Sequence, residues 1–134
     1  MHENPARHAV VAPKLEATER KLAAGLAIQL ETQAGQKPAE AAQLLKDAAQ
    51  IWLEAGDKAK ALETAKKAQA MRPDRRTMIL TYFWYQGMGD VFAECGEKDE
   101  AIKPYEESIK ASGNDVLAKS VQKKLDAVKG VAKP

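Results

Sequence analysis

Gly56 and Gly96 each sit inside the same pattern of residues, and this duplication constrains the chain more than any other feature. The two glycines lie 40 residues apart (96 − 56). Eleven residues before them stand Leu45 and Tyr85, seven before stand Ala49 and Gly89, and four before stand Trp52 and Phe92. Five residues after them come Ala61 and Ala101, nine after come Ala65 and Tyr105, and twelve after come Ala68 and Ser108. The helix breakers Pro73 and Gly113 follow seventeen residues after. Steps of three, four and seven place side chains on one face of a helix, and a glycine between two such faces lets the chain turn back. The pattern therefore predicts two hairpins of antiparallel helices.

Turn glycine, small residues and closing breaker recurring at matched offsets resemble the tetratricopeptide repeat family. The resemblance covers about residues 42–73 and 82–113, roughly half the chain. It implies an all-α fold of about six helices in a right-handed superhelix, and a non-catalytic module that binds a peptide or protein segment in a concave groove. In that family the first helix of each repeat lines the groove. By offset, the lining here comprises Gln43, Lys46, Gln50, Leu53 and Glu54, then Phe83, Gln86, Asp90, Ala93 and Glu94. Lys46, Gln50, Leu53, Phe83, Gln86 and Asp90 are the candidate partner-binding residues, with Phe83 as apolar anchor and Lys46 and Asp90 as orienting charges. Family members that clamp a C-terminal carboxylate carry asparagines where Gln50 and Gly87 stand, so that subtype is rejected. This chain departs from the pattern in three ways. Ala65 and Ala68 are smaller than usual, Gly113 replaces the closing proline, and the period exceeds the usual ~34 residues.

Along the chain, residues 1–12 show little helical periodicity and read as a mobile tail. Pro13 suits a first helical position, and Leu15, Leu22, Leu26 and Leu30 predict a helix over 14–34 with one buried stripe. Gly35 and Pro38 separate it from a second helix over 38–55 that buries Ala41, Leu44, Leu45, Ala48, Trp52 and Ile51. Asp57 is placed to cap a third helix, with Ala61, Leu62, Ala65, Ala68 and Met71 inward. The extra length of the repeat falls in 72–81 and is assigned to a longer fourth helix, from an Asp74 cap to Cys95. A fifth helix spans 98–111, with Ile102, Tyr105 and Ile109 inward and a bend at Pro104, which cannot donate to Glu100. After a stop and cap at 112–115, a sixth helix over 115–129 turns Leu117, Val121, Leu125 and Val128 inward as a solvating end cap. Residues 13–130 are expected to form a single domain, and 131–134 a short C-terminal tail.

Composition narrows the function classes. With 45% hydrophobic and 30% charged residues, the chain suits a folded soluble protein, and the length suits one domain. Net charge +2 is too mild to imply a nucleic-acid or membrane partner without clustering. The longest apolar run, around 78–85, is too short to span a bilayer. A cytoplasmic setting is favoured, and export after cleavage of a signal remains compatible. Cys95 is the only cysteine and His2 and His8 the only histidines, both in the tail. A nucleophile–base dyad and a closed zinc site therefore lack parts, and no enzyme activity, cofactor or metal is expected. Gly87-Met88-Gly89 follows no strand, so it is read as a helix-packing feature rather than a dinucleotide fingerprint.

Two further surfaces have alternative uses. Tyr82, Phe83, Trp84 and Tyr85 are four consecutive aromatics on one helix, which cannot all face one core. Either helix one covers the outer ones, or they form a patch that joins identical chains in a homodimer. Residues 58–76 are basic, with Lys58, Lys60, Lys66, Lys67, Arg72, Arg75 and Arg76, whereas the second hairpin is acidic. The basic helix offers a weaker RNA-binding reading, opposed by its acidic neighbour.

Overall fold

The computed structural model describes residues 16–71 and 78–130. Among these the protein is all-helical: α1 (Ala17–Gln36), a 3-10 turn (Pro38–Glu40), α2 (Ala41–Glu54), α3 (Lys58–Gln69), α4 (Met78–Glu94), α5 (Lys98–Ala111) and α6 (Asp115–Lys129). Each helix packs on the next, and α2 also lies against α4. The expected tails and the Asp74 cap fall outside the described residues.

The two glycine turns are the same turn. Gly56 and Gly96 have φ of 85° and 81°, the left-handed conformation that glycine adopts without a Cβ penalty. Asp57 N–H donates to Trp52 O at 2.9 Å, and Glu97 N–H to Phe92 O at 2.9 Å. Gly56 N–H donates to Leu53 O and Gly96 N–H to Ala93 O, each at 3.0 Å, which completes a Schellman closure in both copies. Asp57 then caps α3 by accepting from Lys60 N–H at 3.0 Å.

Burial repeats with the same 40-residue offset. Ala61, Thr64, Ala65 and Ala68 are the buried residues of α3, and Ala101, Pro104, Tyr105 and Ser108 those of α5. Small side chains on α3 let it approach α2 closely. In α5 the aromatic Tyr105 needs room, and Gly89 supplies it: a Cβ at Gly89 would stand 2.5 Å from the Tyr105 ring. Gly87 plays a parallel part toward α2, because a Cβ there would meet Lys46 Cδ at 2.9 Å. Both glycines of the Gly87-Met88-Gly89 run are thus explained by close packing. Pro104 lies buried within α5, which continues through it.

The described part of the fourth helix, 17 residues over Met78–Glu94, is longer than its counterpart α2, 14 residues over Ala41–Glu54; its expected start near Asp74 lies outside the described residues. One expectation needs correction, and it concerns α1. Leu22 is 70% exposed and Leu26 46%, and Leu30 is only half-buried, whereas Ala27 and Ala34 are buried. Leu15 lies outside the described residues. The α1 face against the rest of the protein carries Ala24, Ala27, Glu31 and Ala34, about a third of a turn from the leucines. Its anchor is polar, because Glu31 accepts from Trp52 Nε1 at 2.6 Å and from the Thr64 hydroxyl at 3.4 Å. α6 follows expectation, with Val121 and Leu125 buried, Asn114 capping through Leu117 N–H at 2.8 Å and Gly130 ending it.

Replacing glycine by alanine should have opposite signs at two positions. Gly25 in α1 has nothing within 4 Å of the point where a methyl group would stand, so Gly25→Ala should stabilise by about 0.5–1 kcal/mol. Gly89→Ala should destabilise by about 1–3 kcal/mol through overpacking against Tyr105. Urea unfolding of both variants beside the parent measures the difference.

Candidate functional site

The candidate residues divide between α2 and α4. Phe83, Gln86, Asp90 and Glu94 recur at steps of three and four, so they share one face of α4. Gln50, Leu53 and Glu54 of α2 meet Asp90, Val91 and Glu94 of α4 around an open cleft of about 480 Å³. Three of the six candidates, Gln50, Leu53 and Asp90, therefore line one hollow. Phe83 lies nearly two turns up α4 from Asp90, on the same face and 52% exposed. It does not line that hollow, and an extended segment would be needed to reach both.

Lys46 is placed differently from a free orienting charge. Its stem lies across Gly87, its residue is only 9% exposed, and its ammonium pairs with Asp47 at 3.5 Å. The aliphatic stem acts as core while the head stays near a carboxylate. Beside Gly87, the Gln86 carboxamide oxygen is buried and has no hydrogen-bond partner among the described residues.

Asp90 is likewise committed. Lys124 Nζ from α6 donates to both carboxylate oxygens at 3.1 Å, and Tyr105 from α5 donates its hydroxyl to one of them at 2.7 Å. One carboxylate on α4 thus ties down α5 and α6. Burial is the main cause that raises the Tyr105 phenol well above its ordinary value, followed by its hydrogen bond to Asp90 and the charges of Asp90 and Glu94. Sequence offsets placed Asp90 on the groove but did not reveal Lys124, because that lysine belongs to the helix outside the repeat. Lys124, Ala127 and Val128 form a further wall, so a second hollow borders Asp90 and Glu94 from the α6 side.

The aromatic run does not form a surface patch. Tyr82 and Trp84 are buried and Tyr85 is half-buried, which leaves Phe83 as the exposed ring of the four. Their cover includes the partners of their polar atoms: Trp84 Nε1 donates to Ala42 O of α2 at 3.0 Å, and the Tyr82 hydroxyl to Leu117 O of α6 at 3.2 Å. On the face of α4 opposite the cleft, Trp84, Tyr85 and Met88 border a hollow of about 410 Å³ against Met71 and Pro104.

Other chemistry is sparse among the described residues. Cys95 is half-buried, with Sγ 3.6 Å from Lys58 O, and burial raises its thiol above the ordinary value, which lowers the thiolate fraction. No group of three or more metal-ligating side chains occurs there, and no helix there is long and apolar enough to cross a membrane. On the basic helix, Lys60 lies 5.4 Å from the Trp52 ring centre and Lys67 pairs with Glu63 at 3.8 Å. Arg72, Arg75 and Arg76 lie outside the described residues. Compared with protein-family models, curated proteins and solved structures, the chain matches none.

The Tyr105–Asp90 pairing sets an alkaline dependence. Tyr105 is held neutral in the folded state while the unfolded tyrosine ionises near pH 10, so the unfolded state binds fewer protons above that pH. Stability from this group is complete below about pH 10 and is lost as pH rises further. Tyr105→Phe should flatten that decline, measured as unfolding free energy between neutral and alkaline pH. Lys124→Met should cost at most about 1 kcal/mol, since both charged groups are over a third exposed.

Proposed function

We propose that this protein is a non-catalytic interaction module of the tetratricopeptide type, which binds an extended protein or peptide segment along the α2–α4 face. The observation that carries this reading is the open cleft between Gln50, Leu53 and Glu54 on one helix and Asp90, Val91 and Glu94 on the next, in line with an exposed Phe83. Support for the repeat itself comes from the duplicated turn and the duplicated burial pattern at one offset. An exposed ring on a helix is a large rigid apolar contact and suits an anchor position. The cleft is shallow and open, which suits a segment of chain better than a small molecule held on all sides. An absence of enzymatic activity is part of the proposal, because the described residues include no histidine and no group of three or more metal-ligating side chains.

Lys46 and Asp90 have supporting rather than recognition parts here. Leu53, Gln50 and Phe83 are the residues left for direct contact, with Glu54 and Glu94 at the rim. Phe83→Ala should weaken binding of a captured partner by about 1–3 kcal/mol, with the thermal midpoint unchanged, as measured by calorimetry. Leu53→Arg should act in the same direction. Equal affinity of both variants and parent would sink the cleft as the binding face.

A further inference from the structure

Glu54 and Glu94 are the last residues of α2 and α4, and they hold equivalent positions in the two copies, 40 residues apart (94 − 54). Both are exposed, both border the α2–α4 cleft, and neither carboxylate has an ion-pair or hydrogen-bond partner among the described residues. This is an unfavourable place for acid. The C-terminal end of a helix carries partial negative charge on its unpaired carbonyls, which favours lysine or arginine in the last turn, yet neither helix has a basic residue there. We propose that the segment received by the cleft carries a lysine or arginine that docks between Glu54 and Glu94, with an apolar side chain about five residues away on Phe83 and Ile79. The proposal rests on the reading of the α2–α4 face as a binding cleft and adds the chemistry of its occupant.

The spacing follows from α4. At about 100° per residue, Phe83, Asp90 and Glu94 lie within about 40° of one another, and Ile79 lies one turn before Phe83 on the same side. Ile79 and Phe83 are 44% and 52% exposed, so this row begins apolar and ends acidic. Phe83 and Glu94 stand about 16 Å apart along the axis, a span that an extended chain at about 3.3 Å per residue covers in about five residues. The middle of the row already holds an ammonium group, because Lys124 Nζ lies 3.1 Å from both oxygens of Asp90. That pairing offsets Asp90 and leaves the uncompensated charge one turn further on, at Glu94 with Glu54 across the cleft. Neighbouring cations face elsewhere. Lys60 lies over the Trp52 ring, on the far side of α2 from Glu54, and Lys58 lies beside Cys95, about 100° around α4 from Glu94. The Arg20 stem lies against Gly56, and none of these three pairs with either glutamate. Affinity then comes from the apolar end and selectivity from the acidic one.

A phage-displayed library of random short peptides, selected on the protein and depleted on its Leu53→Arg variant, isolates sequences that need the cleft. These should be enriched in lysine or arginine about five residues from an aromatic or branched apolar residue. For a synthetic peptide of the selected sequence, Glu54→Gln combined with Glu94→Gln should weaken binding about tenfold at low salt, through the loss of two exposed pairs, and remove most of its salt dependence. The same double variant should keep or raise the thermal midpoint, since it takes acid away from two helix C-termini. Glu54→Lys combined with Glu94→Lys should turn selection toward aspartate and glutamate at the same peptide position. Cleft-dependent peptides with no basic enrichment, or equal binding by the glutamine variant, overturn this proposal and leave the cleft reading in place. A midpoint that falls in the glutamine variant shows that this chain's own residues hold the two glutamates, and overturns it as well. A library without any cleft-dependent sequence removes the cleft reading and this proposal with it.

Discussion

Tyr105 lies on Gly89, and much of the second half of the protein depends on that approach. With no Cβ on α4 at this point, the ring can occupy the space where a methyl group would stand, and α5 comes close enough for its hydroxyl to reach Asp90. The same carboxylate then accepts from Lys124 and so draws in α6. A glycine, an aromatic ring and a carboxylate thereby align three helices around one point. A buried hydroxyl without a partner would cost about 1–3 kcal/mol, so the Asp90 acceptor is part of what allows an aromatic residue here. In the first copy the equivalent positions are Ala49 and Ala65. No ring has to be fitted there, and the polar joint moves to Glu31, which accepts from Trp52 and Thr64 and fixes α1 instead.

These two joints shape what the α2–α4 face can offer. Asp90 borders the cleft, yet its oxygens already have donors from two helices, so a partner would gain little from its charge unless Lys124 let go. Lys46 is similarly placed, with its stem on Gly87 and its head on Asp47. What remains accessible is a mixture of the Phe83 ring, the Leu53 side chain, the Gln50 amide and two rim glutamates. Such a surface favours recognition by shape and apolar contact over recognition by a single ion pair, since exposed pairs contribute ~0–1 kcal/mol.

Legibility in the sequence followed the range of the interaction. Turns and caps depend on residues close together along the chain, and Gly56, Gly96, Asp57 and Asn114 could be read directly. Ile102 and Ile109, expected inward, are only half-buried, Met71 is exposed, and the buried Trp84, Met88 and Val91 of α4 were not foreseen as core. The duplicated positions were nonetheless accessible, since Ala61, Ala65 and Ala68 and their counterparts Ala101, Tyr105 and Ser108 are all buried. Long-range polar pairing was not: Asp90 and Lys124 are 34 residues apart, and nothing local distinguishes Lys124 from Lys123, which is exposed. The choice of face on α1 failed for another reason. Periodicity identifies an apolar stripe but not the surface that covers it, and α1 has two candidate faces, one of leucines and one of alanines. The alanine face prevails against α2 because small residues permit close approach and place Glu31 under the Trp52 indole, which the leucine face cannot do.

The two ends of the helix array are consequently unlike. At the C-terminal end α6 turns its one apolar stripe inward on α5 and presents Lys119, Lys123 and Lys129 to water, with Val116 as its exposed apolar residue. An end finished in this way stops a stack of helices, since a further helix would have to desolvate charge to add to it. At the other end α1 satisfies its contact to α2 with alanines and leaves leucines outside. Covering either exposed leucine, Leu22 or Leu26, would be worth roughly 1.5–3 kcal/mol relative to exposure, a gain that the charged outer face of α6 does not offer.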